Sequence, residues 1–573
     1  MGHRTLDPAA VHRRRFLKLG GATLLAAGAV ASTAAAKQPA AARTAVKETT
    51  AETANTASTA NTGGPSSTAV SSTAESDVPV DAQSLVPIPA SRIPAAVAKL
   101  DSIIDYVLTQ TGVPGLAAAV VHSGQVLYAK GFGVKDVNST AAVDAGTVFR
   151  LASVSKPLSA TVVAGIVGQH VVKWTDPIAA HLPSFALADP YVTAHVTYAD
   201  LFSHTSGLPG HAGDLLEDLG YDQAYILNRF RLEPLGPFRA QYEYTNFGLT
   251  AAAEAAAAAK GMAWADLADE VLFGPLDMSA TSFRYSDFLA ETDTAAMHIR
   301  VGDKWIQKYS RDADPEAPAG GASSNVLDLA NWLILLLANG TFNGTPVIGA
   351  DALSDAHLPH ALSGLPMSVI SRSGFYGYGT NVGYDYAGRL RLSHSGGFNQ
   401  GAATAFSLLP SADLGIVVLT NGMPIGVPEA INNYFLDWVE AGSVQDDWLA
   451  LYEKGFANFY VNPSELADKK PPKHPVPAKP DSFYTGTYDN PYYGPIKIVA
   501  AGKTLHLLIG PASAPNDYPL GHWSGNLFSF YPTGENAVGI TAATFHPNAR
   551  DTRAASVTLE YYNTNGLGTF TRP

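Results

Sequence analysis

Strand-like segments stand at both ends of the central part of this chain, and helical segments fill the stretch between them. Leu116 to Val121 and Val126 to Tyr128 read as the arms of a hairpin that turns at Ser123-Gly124. Strand alternation returns only far downstream, at Arg389 to Ser393, Ala402 to Leu409 and Leu414 to Thr420. The intervening patterns are helical, among them Ala251 to Gly261 and Asn325 to Asn339. Ala95 to Thr111 precedes the hairpin with Val97, Leu100, Ile103, Ile104 and Val107 on one stripe, and Pro428 to Glu440 closes the set. This order predicts an α/β (α+β) domain in which one sheet is completed by both ends of the segment and packs on a helical region.

The chain of 573 residues is too long for one ordinary core. Residues 1–36 read as an export address. His12-Arg13-Arg14-Arg15-Phe16-Leu17-Lys18 fits the twin-arginine pattern, a modestly apolar stretch follows from Leu19 to Ala31, and Ala34-Ala35-Ala36 offers a cleavage site. The expected destination is the periplasm or the exterior, with no membrane span left after cleavage. Residues 37–90 are rich in Ala, Thr and Ser and read as a disordered tether. The folded segment is expected over 91–442. A helical extension and a linker follow over 443–481, where Asp468 to Pro480 holds five prolines and four lysines. Residues 482–573, with short alternating segments such as Ile496 to Val499, Thr504 to Ile509, Leu527 to Tyr531 and Ser556 to Tyr562, predict a small all-β barrel or sandwich. With 37 basic against 50 acidic residues, the net charge of −13 argues against nucleic acid as a partner. There is no cysteine, hence no disulfide framework and no thiol for a lipid.

Chemistry is concentrated first in Phe149-Arg150-Leu151-Ala152-Ser153-Val154-Ser155-Lys156-Pro157. The apolar run from Ser153 to Val172 predicts a buried helix, with Pro157 in the first turn, where a missing N–H costs least. Residues three apart share a helix face, so the Lys156 amine reaches the Ser153 hydroxyl and can take or hold its proton. The helix N-terminus favours an oxyanion beside Ser153.

Three further motifs accompany it: Tyr244-Thr245-Asn246-Phe247-Gly248, His394-Ser395-Gly396-Gly397, and the loop Leu201-Phe202-Ser203-His204-Thr205-Ser206-Gly207-Leu208-Pro209. With them the chain resembles the serine β-lactamase and penicillin-binding protein superfamily, in particular the class C β-lactamase branch with its esterase and D-amino-acid peptidase relatives, over about Ile93 to Gly442. The resemblance implies a β-lactamase-like antiparallel sheet flanked by helices, a helical subdomain, and acyl transfer at Ser153. It implies Tyr244 or Lys156 as the base, the choice left open, and Asn246 as a group orienting Lys156 or the substrate carbonyl. A phenol serves as base at neutral pH only where a cation such as Lys156 stabilises the phenolate. By the same match the His394-Ser395-Gly396 strand binds substrate, and the N–H of Gly397 joins that of Ser153 in an oxyanion hole. His204 is expected to shape its loop, Pro318-Ala319-Gly320-Gly321 to line the cleft, and Asp328 to be a solvated or capping charge.

One departure is informative. Class C β-lactamases carry lysine where this chain has His394, and a histidine is mostly neutral at pH 7. Esters and peptide-like amides, cell-wall peptides included, are therefore the expected substrates. A β-lactamase and a cell-wall peptide binder without turnover are the alternatives. His357 and His360 lack an acidic third ligand, so neither a metal nor another cofactor is expected. Tyr484-Thr485-Gly486-Thr487-Tyr488 and Asn490-Pro491-Tyr492-Tyr493-Gly494-Pro495 make the C-terminal segment similar to the lipocalin-like domain of related hydrolases, either a wall of the cleft or a stability module.

Overall fold

The computed structural model describes residues 86–366, 368, 369 and 371–573, so the export address and nearly all of the tether lie outside the described residues. In chain order the principal elements are α1 (Leu100–Thr111), the hairpin β1 (Gly115–His122) and β2 (Gln125–Gly133), then α2 (Ser155–Gly168), α3 (Asn246–Lys260) and α4 (Val326–Leu337). There follow β3 (Ala361–Gly364), β4 (Gly374–Tyr376), β5 (Asn381–Tyr384), β6 (Leu390–Phe398), β7 (Ala402–Leu409), β8 (Leu414–Thr420) and α5 (Val427–Glu440). The strands form one antiparallel sheet in the order β2-β1-β8-β7-β6-β5-β4-β3. The early hairpin thus pairs with the last strand, Leu116 opposite Thr420, and the sheet is completed from both ends of the segment.

Alternation along β1 divides its side chains between two cores. Leu116, Ala118 and Val120 pack with Ile104 and Val107 of α1 and with Ile431 and Phe435 of α5. Ala117, Ala119 and Val121 turn the other way, toward Trp332 and Leu333 of α4 and Val162 of α2. Both faces of the sheet are therefore covered, a three-layer arrangement of the expected α/β class. This double cover explains why β6 runs to Phe398, beyond the alternation visible up to Ser393: on a strand buried on both faces, polar residues such as His394 and Ser395 are also inside.

Two local expectations need correction. The stripe from Ala95 to Thr111 is split into helices Arg92–Val97 and Leu100–Thr111, because a tight Lys99 N–H to Ala96 carbonyl bond re-aims the second helix while both keep their apolar faces buried. Asp328 is not solvated: its buried carboxylate accepts from Ala280 N at 2.9 Å and Thr281 Oγ1 at 2.8 Å, while the cap of α4 is Asn325.

After α6 (Trp448–Phe456) the linker is exposed but tied to the C-terminal unit, with Val476 bonded to Ser524 and Gly525. That unit is a meander of β9 (Gly486–Tyr488), β10 (Ile496–Ala501), β11 (Thr504–Ile509), β12 (Asn516–Ser524), β13 (Leu527–Phe530), β14 (Thr541–Pro547), β15 (Ala554–Leu559) and β16 (Thr569–Thr571), each paired with the next. Asp489 and Thr571 exchange backbone hydrogen bonds and bring the last strand back to the first, so the barrel is nearly closed. Inward positions such as Ile496, Ile498, Leu507 and Tyr518 alternate with outward ones, and the buried rings of Tyr484, Phe528 and Phe545 meet at steep angles, edge toward face. Side chains fill a barrel of this size.

The barrel docks on the segment between α2 and α3 and on the β6–β7 turn. Asp218 accepts from Glu535 N at 2.8 Å and from Asn536 N at 3.1 Å, and Glu535 in turn accepts from the backbone of Asn399 and Gln400. Tyr221 Oη donates to the Tyr493 carbonyl at 2.6 Å. Replacing Asp218 by Ala strips two half-buried N–H groups of their acceptor. It is expected to cost about 1–3 kcal/mol, read as a lower urea midpoint by tryptophan fluorescence; an unchanged midpoint would show that this junction carries no stability.

Candidate active site

Ser153 lies in a 3-10 turn, Ala152–Val154, that leads into α2. Ala152 sits at φ +48°, a left-handed conformation costly for any residue with a Cβ. The surroundings hold it there. Thr404 Oγ1 donates to the Leu151 carbonyl at 2.7 Å, Leu151 N to the Ala322 carbonyl at 2.9 Å, and Ser155 Oγ to the Ala152 carbonyl at 2.7 Å. Ser153 is partly exposed, whereas Lys156, one helical turn on, is wholly buried.

The Lys156 Nζ has three oxygen neighbours: Ser153 Oγ at 3.0 Å, Asn246 Oδ1 at 2.7 Å and the Ala319 carbonyl at 2.9 Å. Burial draws its pKa down to about 8, against the opposing pull of Glu316, Asp214 and Glu217. Tyr244 is hydrogen-bonded to Ser153, and its ring lies 4.6 Å from Lys156 Nζ; burial pushes the phenol above its usual range. Asn246 is the first residue of α3, so the turn that ends at Tyr244 and the helix that begins at Asn246 reach the same lysine. His204 braces this turn. Its Nδ1 accepts from Thr245 N at 3.2 Å, its carbonyl accepts from Glu243 N, and its ring packs on Tyr244 at 4.6 Å between centroids.

The structure divides the His394-Ser395-Gly396-Gly397 strand by face. Gly396 lies against the Ser153 turn, where a Cβ would stand 2.2 Å from the Leu151 carbonyl and 2.9 Å from Ser153 N. Gly397 pairs with Ala403 one step on. Ser395 turns to the opposite face and is hydrogen-bonded to the buried Glu429 of α5, so its hydroxyl is not in the site. His394 is buried beside Tyr244, with ring centroids 6.5 Å apart. Its Nδ1 is 2.7 Å from the Ser395 carbonyl and so carries the proton, while Nε2 accepts from Tyr376 Oη at 2.9 Å. Burial, then the charge of Lys156, draws its pKa down to about 3, and the ring is neutral.

Several participants escaped the sequence reading. Asn246 Nδ2 donates to Asp214 Oδ2 at 3.1 Å, and His211 Nδ1 is 2.8 Å from the same oxygen. A hydrogen-bonded chain therefore runs from His211 at the surface through Asp214 and Asn246 to Lys156 and Ser153. The i, i+3 spacing of His211 and Asp214 was its one signal in the sequence, and such pairs are common. Pro318-Ala319-Gly320-Gly321 is buried behind the lysine; its carbonyls accept from Lys156 and, at 2.6 Å, from Ser159 Oγ. Arg311 reaches Glu217 at 2.7 Å and Glu316 at 3.0 Å, a buried ionic group beneath the site. Among the described residues no group of three or more His, Cys, Asp or Glu is placed to hold a metal ion, and no helix is long and apolar enough to cross a membrane.

A family described as Beta-lactamase matches residues 100–437, and one described as a domain of unknown function, DUF3471, matches 470–566. The unguisins hydrolase of Aspergillus violaceofuscus is 26% identical over 443 residues, covering 69% of this chain and 75% of that protein. Esterase EstB of Burkholderia gladioli is 34% identical over 146 residues, 24% of this chain and 36% of the esterase. The octameric penicillin-binding protein homologue from Pyrococcus abyssi shares the fold with a TM-score of 0.53 at 19% identity, over 81% of this chain and 98% of that one.

Gly396→Ala tests the closeness of strand and turn. Displacing Ser153 N should slow fluorophosphonate labelling of Ser153 about 100-fold or more, measured by intact mass against time; labelling at the original rate would mean that the strand does not shape the nucleophile.

Proposed function

Because the chain belongs to the Beta-lactamase family, we propose that it is an exported serine hydrolase that opens an ester or a peptide-like amide through an acyl-enzyme on Ser153. The observation that carries this reading is the trio of oxygens around Lys156 Nζ. A neutral amine has two N–H donors and one lone pair. Asn246 Oδ1 and the Ala319 carbonyl take the two donors, which leaves the lone pair for the Ser153 hydroxyl. With its pKa drawn down to about 8, Lys156 is far closer to its basic form at neutral pH than Tyr244, whose phenol burial pushes up. Lys156 is thus the favoured base, and Tyr244 is the phenol hydrogen-bonded to Ser153.

The Ser153 proton passes to Lys156 as Oγ bonds to the substrate carbonyl carbon. The carbonyl π electrons move to oxygen, where the N–H groups of Ser153 and Gly397 receive the negative charge. Collapse expels the alcohol or amine, which takes the proton back from Lys156. Water repeats the sequence on the acyl-enzyme and releases the acid. Relatives named as an unguisins hydrolase and as an esterase support hydrolysis, the second of an ester. The neutral His394 disfavours substrates that need a cation at that strand.

Hydrolysis of p-nitrophenyl acetate should vanish in Ser153→Ala and fall about 100-fold or more in Lys156→Arg, whose guanidinium does not accept a proton. The base must be neutral, so kcat/KM of the parent enzyme rises about tenfold per pH unit below its pKa and levels above about 8. Turnover that survives in Ser153→Ala, or a profile flat from pH 6 to 9, would overturn the mechanism. Nitrocefin should be turned over poorly throughout.

A further inference from the structure

The short segment over residues 210–214 grips the Tyr244-Thr245-Asn246 turn at two points. His211 N donates to the Tyr244 carbonyl at 2.8 Å, and Asp214 Oδ2 accepts from Asn246 Nδ2 at 3.1 Å. The backbone between the two grips is unusual. His211 sits at φ +62°, left-handed although it carries a Cβ, and Gly213 at φ +95°, where a Cβ would stand 2.8 Å from Ile226 Cγ2 and 2.9 Å from Phe247 Cδ2. Strain of this kind persists where the surroundings fix it, and it clusters at active sites.

Both ends of the Asn246 amide are committed. Oδ1 accepts from Lys156 Nζ at 2.7 Å, while Nδ2 donates to the buried Asp214 carboxylate. A neutral amine both donates and accepts, so Lys156 alone does not select which end of the amide it meets. A carboxylate only accepts, and Asp214 therefore selects: it holds the NH2 end and leaves Oδ1 for the lysine. In the reversed amide the NH2 would donate to the very lone pair with which Lys156 takes the Ser153 proton.

The same carboxylate holds His211, whose Nδ1 is 2.8 Å from Oδ2. Burial draws the imidazole down, but the hydrogen bond and the charge of Asp214 outweigh it and hold the ring above the usual histidine value. A proton on His211 thus screens Asp214, whose charge favours the ammonium form of Lys156. His211 is also faced by His204, by Glu243 and Tyr244 before α3, by Lys156 of α2 and by Glu316 before α4. Glu233, Glu560, Tyr492, Tyr493 and Tyr561 share the cavity that it lines beside the barrel.

We propose that Asp214 and His211 are a positioning pair for the reaction at Ser153: Asp214 turns the Asn246 oxygen to Lys156 and keeps the amine's lone pair for the serine, and His211 sets how much of the Asp214 charge that amine feels. The kinetic consequences rest on the acyl-enzyme reading above; the effect on the amine does not.

Three variants separate orientation from charge. Asp214→Asn keeps an acceptor for Asn246 and removes the charge, Asp214→Ala removes both, and His211→Gln keeps a donor for Asp214 and removes the titrating proton. At pH 9, where the amine is mostly neutral, p-nitrophenyl acetate kcat should fall about tenfold or more in Asp214→Ala and return to within about threefold of the parent in Asp214→Asn. The midpoint of kcat/KM against pH should move in opposite directions: down by about half a pH unit or more in Asp214→Asn, which loses a charge favouring the ammonium, and up in His211→Gln, which loses a cation opposing it. The charges of Glu316 and Glu217 on Lys156 are common to all these proteins. In the Ser153→Ala background, NMR titration of the Lys156 Cε resonance, identified by its loss in Lys156→Arg, should show the same opposite shifts without turnover. A pair that served stability alone would lower the urea midpoints and leave the profile in place. Unmoved or parallel shifts, or Asp214→Asn as slow as Asp214→Ala, overturn the proposal even where ester hydrolysis depends on Ser153. Where Asp214→Ala does not fold, the two conservative variants decide by their opposite shifts. Ester hydrolysis that survives Ser153→Ala overturns the acyl-enzyme reading and leaves the NMR shifts to decide the pair.

Discussion

The buried amine of Lys156 is the point on which the architecture of the site converges. An ammonium wholly out of water is expensive unless its donors are matched. The matching oxygens come from three distant parts of the chain: Ser153 at the start of α2, Asn246 at the start of α3, and Ala319 in the loop before α4. The lysine can be buried only when those segments are assembled, and they in turn lose an acceptor's partner if it is absent. The same burial that ties the segments together lowers the pKa of the amine to about 8. Structural cohesion and basicity thus have one physical origin.

Around that amine lies an excess of carboxylates. Arg311 bridges Glu217 and Glu316, stands 4.0 Å from Asp218 and covers the ring of Phe398, the last residue of β6. Glu535, brought in by the barrel, is pushed up to about 8 by burial even though Arg311 draws it down. One guanidinium therefore organises carboxylates from the segment between α2 and α3, from the loop before α4 and from the barrel. The barrel is anchored through the backbone of Asn399 and Gln400, in the turn that follows the His394–Gly397 strand. A shift of the barrel would act directly on the strand that lies against Ser153.

Much of this was legible in the sequence, and the parts that were not share a cause. Periodicity exposed α1, which buries one apolar stripe, while β1, β7 and β8 were visible as short apolar runs bounded by turn residues, being buried on both faces. The Ser153-to-Lys156 spacing revealed a contact because both residues lie on one helix. The partners of the lysine's other donors were less accessible: Asn246 came from a motif, and the Ala319 carbonyl is backbone, which carries no side-chain signal. Asp214, His211, Tyr376 and the Arg311 group are brought in by tertiary packing across tens or hundreds of residues. The face taken by each residue of β6 was hidden for another reason. Where both sides of a sheet are covered, alternation of burial disappears, and the sequence does not tell that Ser395 turns to Glu429 while Gly396 turns to Ser153.

The histidine at position 394 brings these strands of argument together. A lysine at that place adds a charge some way along the strand from the nucleophile, available to an anionic substrate. Here the ring is closed off by Tyr376 and by its neighbour's carbonyl, and burial beside Lys156 holds it neutral to about pH 3. A second cation so near Lys156 would lower the lysine's pKa further, whereas a neutral ring leaves Glu316, Asp214 and Glu217 as the charges that oppose burial. A histidine at this position therefore leaves the strand uncharged and adds no second cation to lower the Lys156 pKa below about 8. The charges that then act on Lys156 are predominantly those of carboxylates, and their field partly offsets the cost of burying the amine.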